Sequence, residues 1–239
     1  VDRSAKQLVM GTDPTNKRVD VSTLSEAMSV RATNSVIRGI GVRRYATSVP
    51  QMGAVSTYFN GVTLENMMIV DNATTGLFVG AKNVTVRNVT LRNNGLLGMG
   101  ANNADNLKVE SLFSEKNNSQ RFNRAPVSGA MKITRSRQIS VTGSSFINNF
   151  GQGPWFDESV YNITFADNDS VNNEGNGVVF ELSDTVKAVN NLIMDNSLKG
   201  MLVSCTGNVE IWNNTFVGNN GSLDVVQDER RASNLSAAG

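Results

Sequence analysis

Three stretches of the chain read as copies of one another: INNFGQGPWF (147–156), VNNEGNGVVF (171–180) and MDNSLKGMLV (194–203). Each has an asparagine in third place, a glycine four residues later and an apolar residue three beyond that: Asn149, Gly153, Phe156; Asn173, Gly177, Phe180; Asn196, Gly200, Val203. Working outward, the same asparagine recurs at Asn72, Asn94, Asn117 and Asn219, so the seven positions step by 22, 23, 32, 24, 23 and 23. Gly76 and Gly98 keep the four-residue offset. After Asn117 the glycine is delayed to Gly129, an insertion of about eight residues within NSQRFNRAPVSG (118–129). Without it the long step becomes an ordinary one.

An apolar column keeps the same spacing: Val84, Leu107, Ile139, Ile163, Val186 and Val209. Each opens an alternating segment such as VTVRNVTL, ISVTGSSF or VEIWNNTF, the period-two pattern of a half-buried strand. Helical periodicity is missing from this region. A repeat of about 23 residues made of short strands broken by Asn and Gly is one coil of a β-solenoid, each coil lying about 4.8 Å from the last. Stacked asparagines then satisfy one another's amides at an inward bend. The LxxLxLxxN signature of leucine-rich repeats does not occur, and propeller blades need about 40 residues. The pattern predicts an all-β right-handed parallel β-helix, a single domain over 1–239. Residues 1–30 are expected as entry strands, 30–225 as regular coils, 118–129 as a loop insertion and 226–239 as a C-terminal tail. SVIRGIGV aligns with GVTLENMMIV as an earlier, weaker coil. Neither end shows a capping helix pattern, which leads to the expectation that the chain is a fragment of a longer protein lacking its end caps.

Composition removes several classes of function. The 239 residues contain no histidine, which excludes a Ser-His-Asp triad and His-ligated zinc. A formal charge of +1 gives no reason to expect a nucleic-acid partner. No apolar run is long enough to span a membrane, and VDRSAKQLVMG at the start is not a signal peptide. Cys205 stands alone and is expected as a small buried apolar residue. The Asn-X-Thr sequons follow from Asn-rich coils and imply glycosylation only in a eukaryotic secretory host.

The run SGAMKITRSRQISVTGSSFINNFGQGPWFDESVYNITFADNDSVNNEGNGVVFELSDTVKAVNN (128–191) resembles bacterial secreted right-handed β-helix proteins of the pectate-lyase-like superfamily. The likeness extends over about residues 30–225 and is mostly repeat grammar; its more specific part is a lysine, then W-F-D, then F-E on successive coils. It implies carbohydrate chemistry (polysaccharide lyase, glycoside hydrolase or uronate epimerase) and an extracellular or cell-envelope location. The superfamily's lyases hold calcium with acids and use Lys or Arg as base.

Register decides which side chains meet. The apolar residues Met131, Phe156, Phe180 and Val203 that follow the glycines are expected to share one inward slot, so alternation sends Lys132, Asp157, Glu181 and Ser204 outward. Ala130, Trp155, Val179 and Leu202 form one flanking column; Thr134, Ser159, Ser183 and Thr206 form the other. Asn102 falls one rung below Lys132. Two carboxylates about 5 Å apart with a lysine beside them are expected to diverge in pKa, as acid/base work on a glycosidic bond needs. Glu181 is the candidate proton donor and Asp157 the nucleophile or base of a hydrolase that needs no cofactor. The alternative is a lyase or epimerase with Lys132 as base and Ca²⁺ held by Asp157 and Glu181. Trp155 is a candidate platform for a sugar ring, with Asn102 extending the polar strip and Arg121 and Arg124 suited to carboxylate or sulfate groups. The rival readings are an outward ion-pair ladder for the Lys-Asp-Glu column, a satellite core for Trp155 and solvated charges for the two arginines. They belong to a non-catalytic adhesin or glycan-binding β-helix. Alternation would turn Glu158 inward, but a bend is expected there, and it is given no role.

Overall fold

The computed structural model describes residues 2–230. Its strands form two parallel sheets whose order follows from stacking one coil on the next. The first sheet has nine strands: Met28–Val30, Gly53–Thr57, Thr75–Val79, Leu97–Asn102, Gly129–Thr134, Gln152–Asp157, Val178–Glu181, Met201–Ser204 and Leu223–Val226. Each pairs in parallel with the strand one coil earlier and one coil later. A second sheet of 14 strands closes the coil. The column predicted from sequence is exact at this level: Ile139 lies opposite Ile163, Ile163 opposite Val186, and Val186 opposite Val209. The earlier coil also aligns as expected, with Val36 opposite Thr63 and Val42 opposite Ile69.

The doubled asparagines have two separate jobs. The first of each pair turns the chain through the left-handed region, at φ 55° for Asn93, 58° for Asn148 and 54° for Asn172. Asn and Asp tolerate that region better than other non-glycine residues. The second points inward and bonds to its counterpart on the next coil. Nδ2 of Asn72 donates to Oδ1 of Asn94 at 2.9 Å, and the chain of bonds runs on through Asn117, Asn149, Asn173 and Asn196 to Asn219 at 2.9 to 3.1 Å. Backbone amides add a parallel set; the Asn149 N–H donates to Asn173 Oδ1 at 3.1 Å. The glycines four residues on give this ladder room. A Cβ on Gly98 would stand 2.9 Å from Asn117 Nδ2, closer than any side chain could hold. A second, shorter ladder, Asn168–Asn191–Asn214, runs along the other sheet at 3.1 and 2.8 Å.

The interior is aromatic toward the C-terminal coils. Phe156 and Phe180 stack with ring centroids 5.2 Å apart and planes 16° from parallel, and Phe165 meets both edge-on. Each buried phenyl contributes roughly 2–3 kcal/mol by removal from water.

The ends depart from expectation. Instead of entry strands, residues 2–27 hold only an isolated bridge between Asp2 and Gln7; Leu8, Val9 and Val21 are exposed, and the first true strand is Met28–Val30. This segment adds no coil of its own to the stack, so its apolar residues have no interior to enter. At the other end, residues 227–230 follow the last strand, and the remainder of the expected tail, 231–239, lies outside the described residues.

Candidate functional site

The candidate site lies on the outer face of the first sheet, where the register corrects one placement. Lys132 lies opposite Trp155, and Thr134 opposite Asp157. Phe156 lies opposite Phe180 and Glu181 opposite Ser204. Asp157, Glu181 and Ser204 therefore share an outward column as expected, but its lower members are Thr134 and Asn102, not Lys132. Asn102 is correspondingly one rung below Thr134, and Met131 lies opposite Pro154 instead of Phe156. The strand after the insertion resumes with Gly129 opposite Gln152, one short of Gly153, and Met131 stands two residues after its glycine where Phe156 stands three, so the two offsets together misplace this coil by two residues. Two residues preserve the face and move a side chain about 6.6 Å along the strand.

Lys132 recovers the distance by its own length. Its Nζ reaches diagonally to Asp157 Oδ2 at 2.7 Å, and both side chains are about one-tenth exposed. The same ammonium donates to the Pro126 carbonyl of the inserted loop and sits 3.5 Å from the centroid of the Trp155 ring. Asp157 Oδ1 accepts the Glu158 N–H at 2.7 Å. Trp155 is 8% exposed, its ring face taken by the lysine and its indole N–H donated to Glu181 Oε2 at 3.1 Å. It offers no open platform for a sugar, which overturns that expectation. The other Glu181 oxygen accepts from Arg230, whose guanidinium also reaches Ser204 Oγ at 3.1 Å and Asp228 at 2.8 Å. Hydrogen bonding to Arg230 pulls the Asp228 carboxyl down to about 2. The outward cluster is thus one network of partners, from the loop carbonyl through Lys132, which also holds Asp157, to Trp155, Glu181 and Arg230.

The inserted loop does form a wall, but its arginines turn away from this cluster. Arg121 pairs with the Glu174 carboxylate and lies 3.9 Å above the Phe150 ring; Arg124 donates to the Glu174 carbonyl at 2.8 Å. They secure the loop to a later coil. On the loop's other side a groove of about 310 Å³ runs over earlier coils, with Gln51, Phe78, Gly100, Asn102, Pro126 and Lys132 among its lining. Gly100 opens it: in the column that continues upward as Lys132 and Trp155, it leaves a notch where a side chain would stand, and a Cβ there would already be 3.1 Å from Phe78. Arg135 and Glu158 close one end as an ion pair at 2.7 Å. Glu158 itself sits at φ 52°, the bend that ends the strand's alternation. Cys205 is buried against Leu182 as expected, with its Sγ also 3.2 Å from Asp228 Oδ1.

Calcium does not fit the acid pair. Each of the four carboxylate oxygens of Asp157 and Glu181 already accepts from a protein donor, and among the described residues no three acids or cysteines cluster as ligands. The groove residues Gln51, Phe78 and Gly100 escaped sequence reasoning, although a glycine inside an alternating strand is a recognisable signal of a close approach or a notch. Arg230 had no signal in the repeat at all.

The family described as "right handed beta helix region" matches residues 52–222. No curated protein matches the sequence. Among solved structures, the periplasmic alginate epimerase AlgG is similar with a TM-score of 0.59 at 13% identity, covering 84% of this chain and 61% of its own. The enzymatically active domain of bacteriophage CBA120 tailspike protein 2 gives 0.57 at 9% identity, over 86% of this chain and 37% of its own. The surface protein and adhesin PfbA of Streptococcus pneumoniae gives 0.57 at 10% identity, over 82% and 67%. The chain therefore spans about three fifths of the epimerase and well under half of the tailspike domain.

Proposed function

This chain belongs to the right-handed β-helix family, and on that premise we propose that it binds a polysaccharide strand in the groove between the inserted loop and the earlier coils. One observation carries the reading. The groove is a notch left by Gly100 in an otherwise filled outward column, with Phe78, Gln51 and Asn102 among its lining. A lining that combines a phenyl ring with a few amide side chains suits the C–H face and hydroxyls of a pyranose. The folds it resembles include proteins whose names place them on alginate or at a cell surface, which supports carbohydrate as the ligand and an extracellular or cell-envelope location. Among the described residues no helix is long and apolar enough to cross a membrane.

Hydrolysis is the second reading, favoured by the adjacency of Asp157 and Glu181 in one outward column. It assigns Glu181 as donor and Asp157 as nucleophile or base. Their contacts weigh against it, because each acid has its own cation and neither has an oxygen turned to solvent without a partner. Elimination or epimerisation through Lys132 is weaker still, since that amine is engaged by Asp157 and the Pro126 carbonyl. The test is calorimetric titration with oligosaccharides from a glycan panel, alongside assays for reducing ends and for the ultraviolet absorbance of unsaturated products. Gly100→Leu fills the notch and is expected to abolish binding while the far-ultraviolet spectrum stays native. Binding unchanged in that variant overturns the groove. Turnover lost in both Asp157→Asn and Glu181→Gln, with folding preserved, would promote hydrolysis over simple binding.

A further inference from the structure

The loop has a second side. There, Arg121, Phe122, Arg124, Phe150, Glu174 and Ser197 line a separate cleft of about 620 Å³ that shares no residue with the groove. We infer that this cleft is an anion subsite, taking the carboxylate or sulfate of a charged saccharide against the Arg124 guanidinium. The inference rests on the groove reading only in supposing that the ligand is a glycan, and deepens it by naming the charged class.

Charge comes first. Two guanidiniums face one carboxylate, and that carboxylate is taken by Arg121. Arg124 forms no ion pair among the described residues; it donates one N–H to the Glu174 carbonyl at 2.8 Å, which orients the guanidinium and leaves its other donors for a ligand. A planar fork held in this way matches a carboxylate or sulfate with two parallel hydrogen bonds. Next comes shape. Phe122 is 46% exposed at the same cleft, so its ring is open to a ligand, and a phenyl face suits the C–H side of a sugar ring. Last comes rigidity. Asn118 clamps the loop by accepting the Phe122 N–H at 2.9 Å and donating to the Phe122 carbonyl at 2.9 Å, and Ser128 holds the Arg124 carbonyl at 3.1 Å and the Asn123 carbonyl at 2.8 Å. The two ligand-facing side chains thus stand on a loop already fixed before binding, which lowers the ordering cost of association.

The experiment compares the full chain with Arg124→Ala and Phe122→Ala against three polymers: polygalacturonate for carboxylate, dextran sulfate for sulfate, and unmodified dextran as neutral control. Arg121 is left intact because it anchors the loop. The expected result is a loss of about tenfold or more in affinity for one of the anionic polymers in Arg124→Ala, matched by added salt in the native chain, with dextran unaffected. Which anionic polymer responds tells carboxylate from sulfate. Phe122→Ala is expected to weaken the same interaction without changing its salt dependence. The subsite is overturned if Arg124→Ala binds both anionic polymers as the native chain does, or if the native chain binds neither. Gly100→Leu separates the two readings: if it spares anionic binding while Arg124→Ala removes it, the groove fails and the cleft stands. The reverse pattern sinks the cleft alone.

Discussion

The two faces of the first sheet are built by the same strands, yet they obey different rules. Inward, like meets like: Phe156 stacks on Phe180, and each ladder asparagine bonds to the next through the same pair of atoms. Outward, the two neighbouring acids Asp157 and Glu181 do not bond to each other, and the decisive contacts run diagonally to unlike groups, as from Lys132 to Asp157 and from Trp155 to Glu181. The difference is physical. A buried amide surrounded by copies of itself is satisfied by repetition, so the repeat enforces its own register. A charge cannot be satisfied by its copy, so any charged position must break the repeat and find a partner of another kind.

Breaking the inward rule is expected to cost most. Phe180→Ala removes a fully buried ring that stacks on Phe156 and meets Phe165 edge-on, and should lower unfolding stability in urea by about 3–5 kcal/mol. Asn173→Ala comes next. Its two amide hydrogens are shared among the Phe146 carbonyl, Ser170 Oγ and Asn196 Oδ1, and its oxygen accepts from Asn149. The substitution strands those partners and should cost about 3 kcal/mol, read in the same titration. The terminal Asn219, half-buried with no further ladder rung described beyond it, should cost distinctly less when changed to Ala.

The outward face gives a smaller and differently structured effect. Asp157→Ala leaves Lys132 with the Pro126 carbonyl and the Trp155 ring but no counter-charge, and should cost about 2 kcal/mol, less than for a wholly dry pair because both groups keep some exposure. Adding Lys132→Met to it should restore most of that loss, because an apolar pair replaces a stranded charge. A ladder pair such as Asn149→Ala with Asn173→Ala should show no such rescue, since its other partners remain stranded. A double-mutant cycle measures both cases, and rescue in the ladder would erase the proposed distinction.

The same distinction explains what could be read before the fold was seen. Coil length, the asparagine ladder, the inward column from Val84 to Val209 and the position of the loop were all legible, because repetition writes them several times over. Face was legible too: Lys132 does point outward, since a two-residue error preserves parity. Its rung was not, because the only copy of that coil's glycine spacing is distorted by the insertion. The second ladder through Asn168, Asn191 and Asn214 was visible in the doublets DN, NN and NN, but was masked by the stronger first series. Contacts made once, such as Arg121 with Glu174 or Arg230 with Glu181, have no periodic trace, and sequence spacing carries no information about them.

The smallest effect probes the end of the outward chain. Arg230 ties the segment after the last strand to Glu181, Ser204 and Asp228, all from a half-exposed position, so Arg230→Ala should cost under about 1 kcal/mol globally. Its signature lies in pH. Hydrogen bonding to Arg230, with lesser help from its backbone and from Cys205, lowers the Asp228 carboxyl from 3.8 to about 2 in the folded chain. A depressed acid stabilises above its unfolded value and loses that contribution as pH falls through the folded one. The tail contact is therefore intact above about 4 and loosens progressively toward about 2. Amide exchange at Cys205, whose N–H donates to the Val226 carbonyl at 2.9 Å, reports on the adjoining strand. Protection there should fall across that acid window in the native chain, and the step attributable to Asp228 should be absent in both Asp228→Asn and Arg230→Ala. An identical acid step in all three proteins would assign the loosening to other carboxylates and leave Arg230 as an ornament of the outer face rather than its last link.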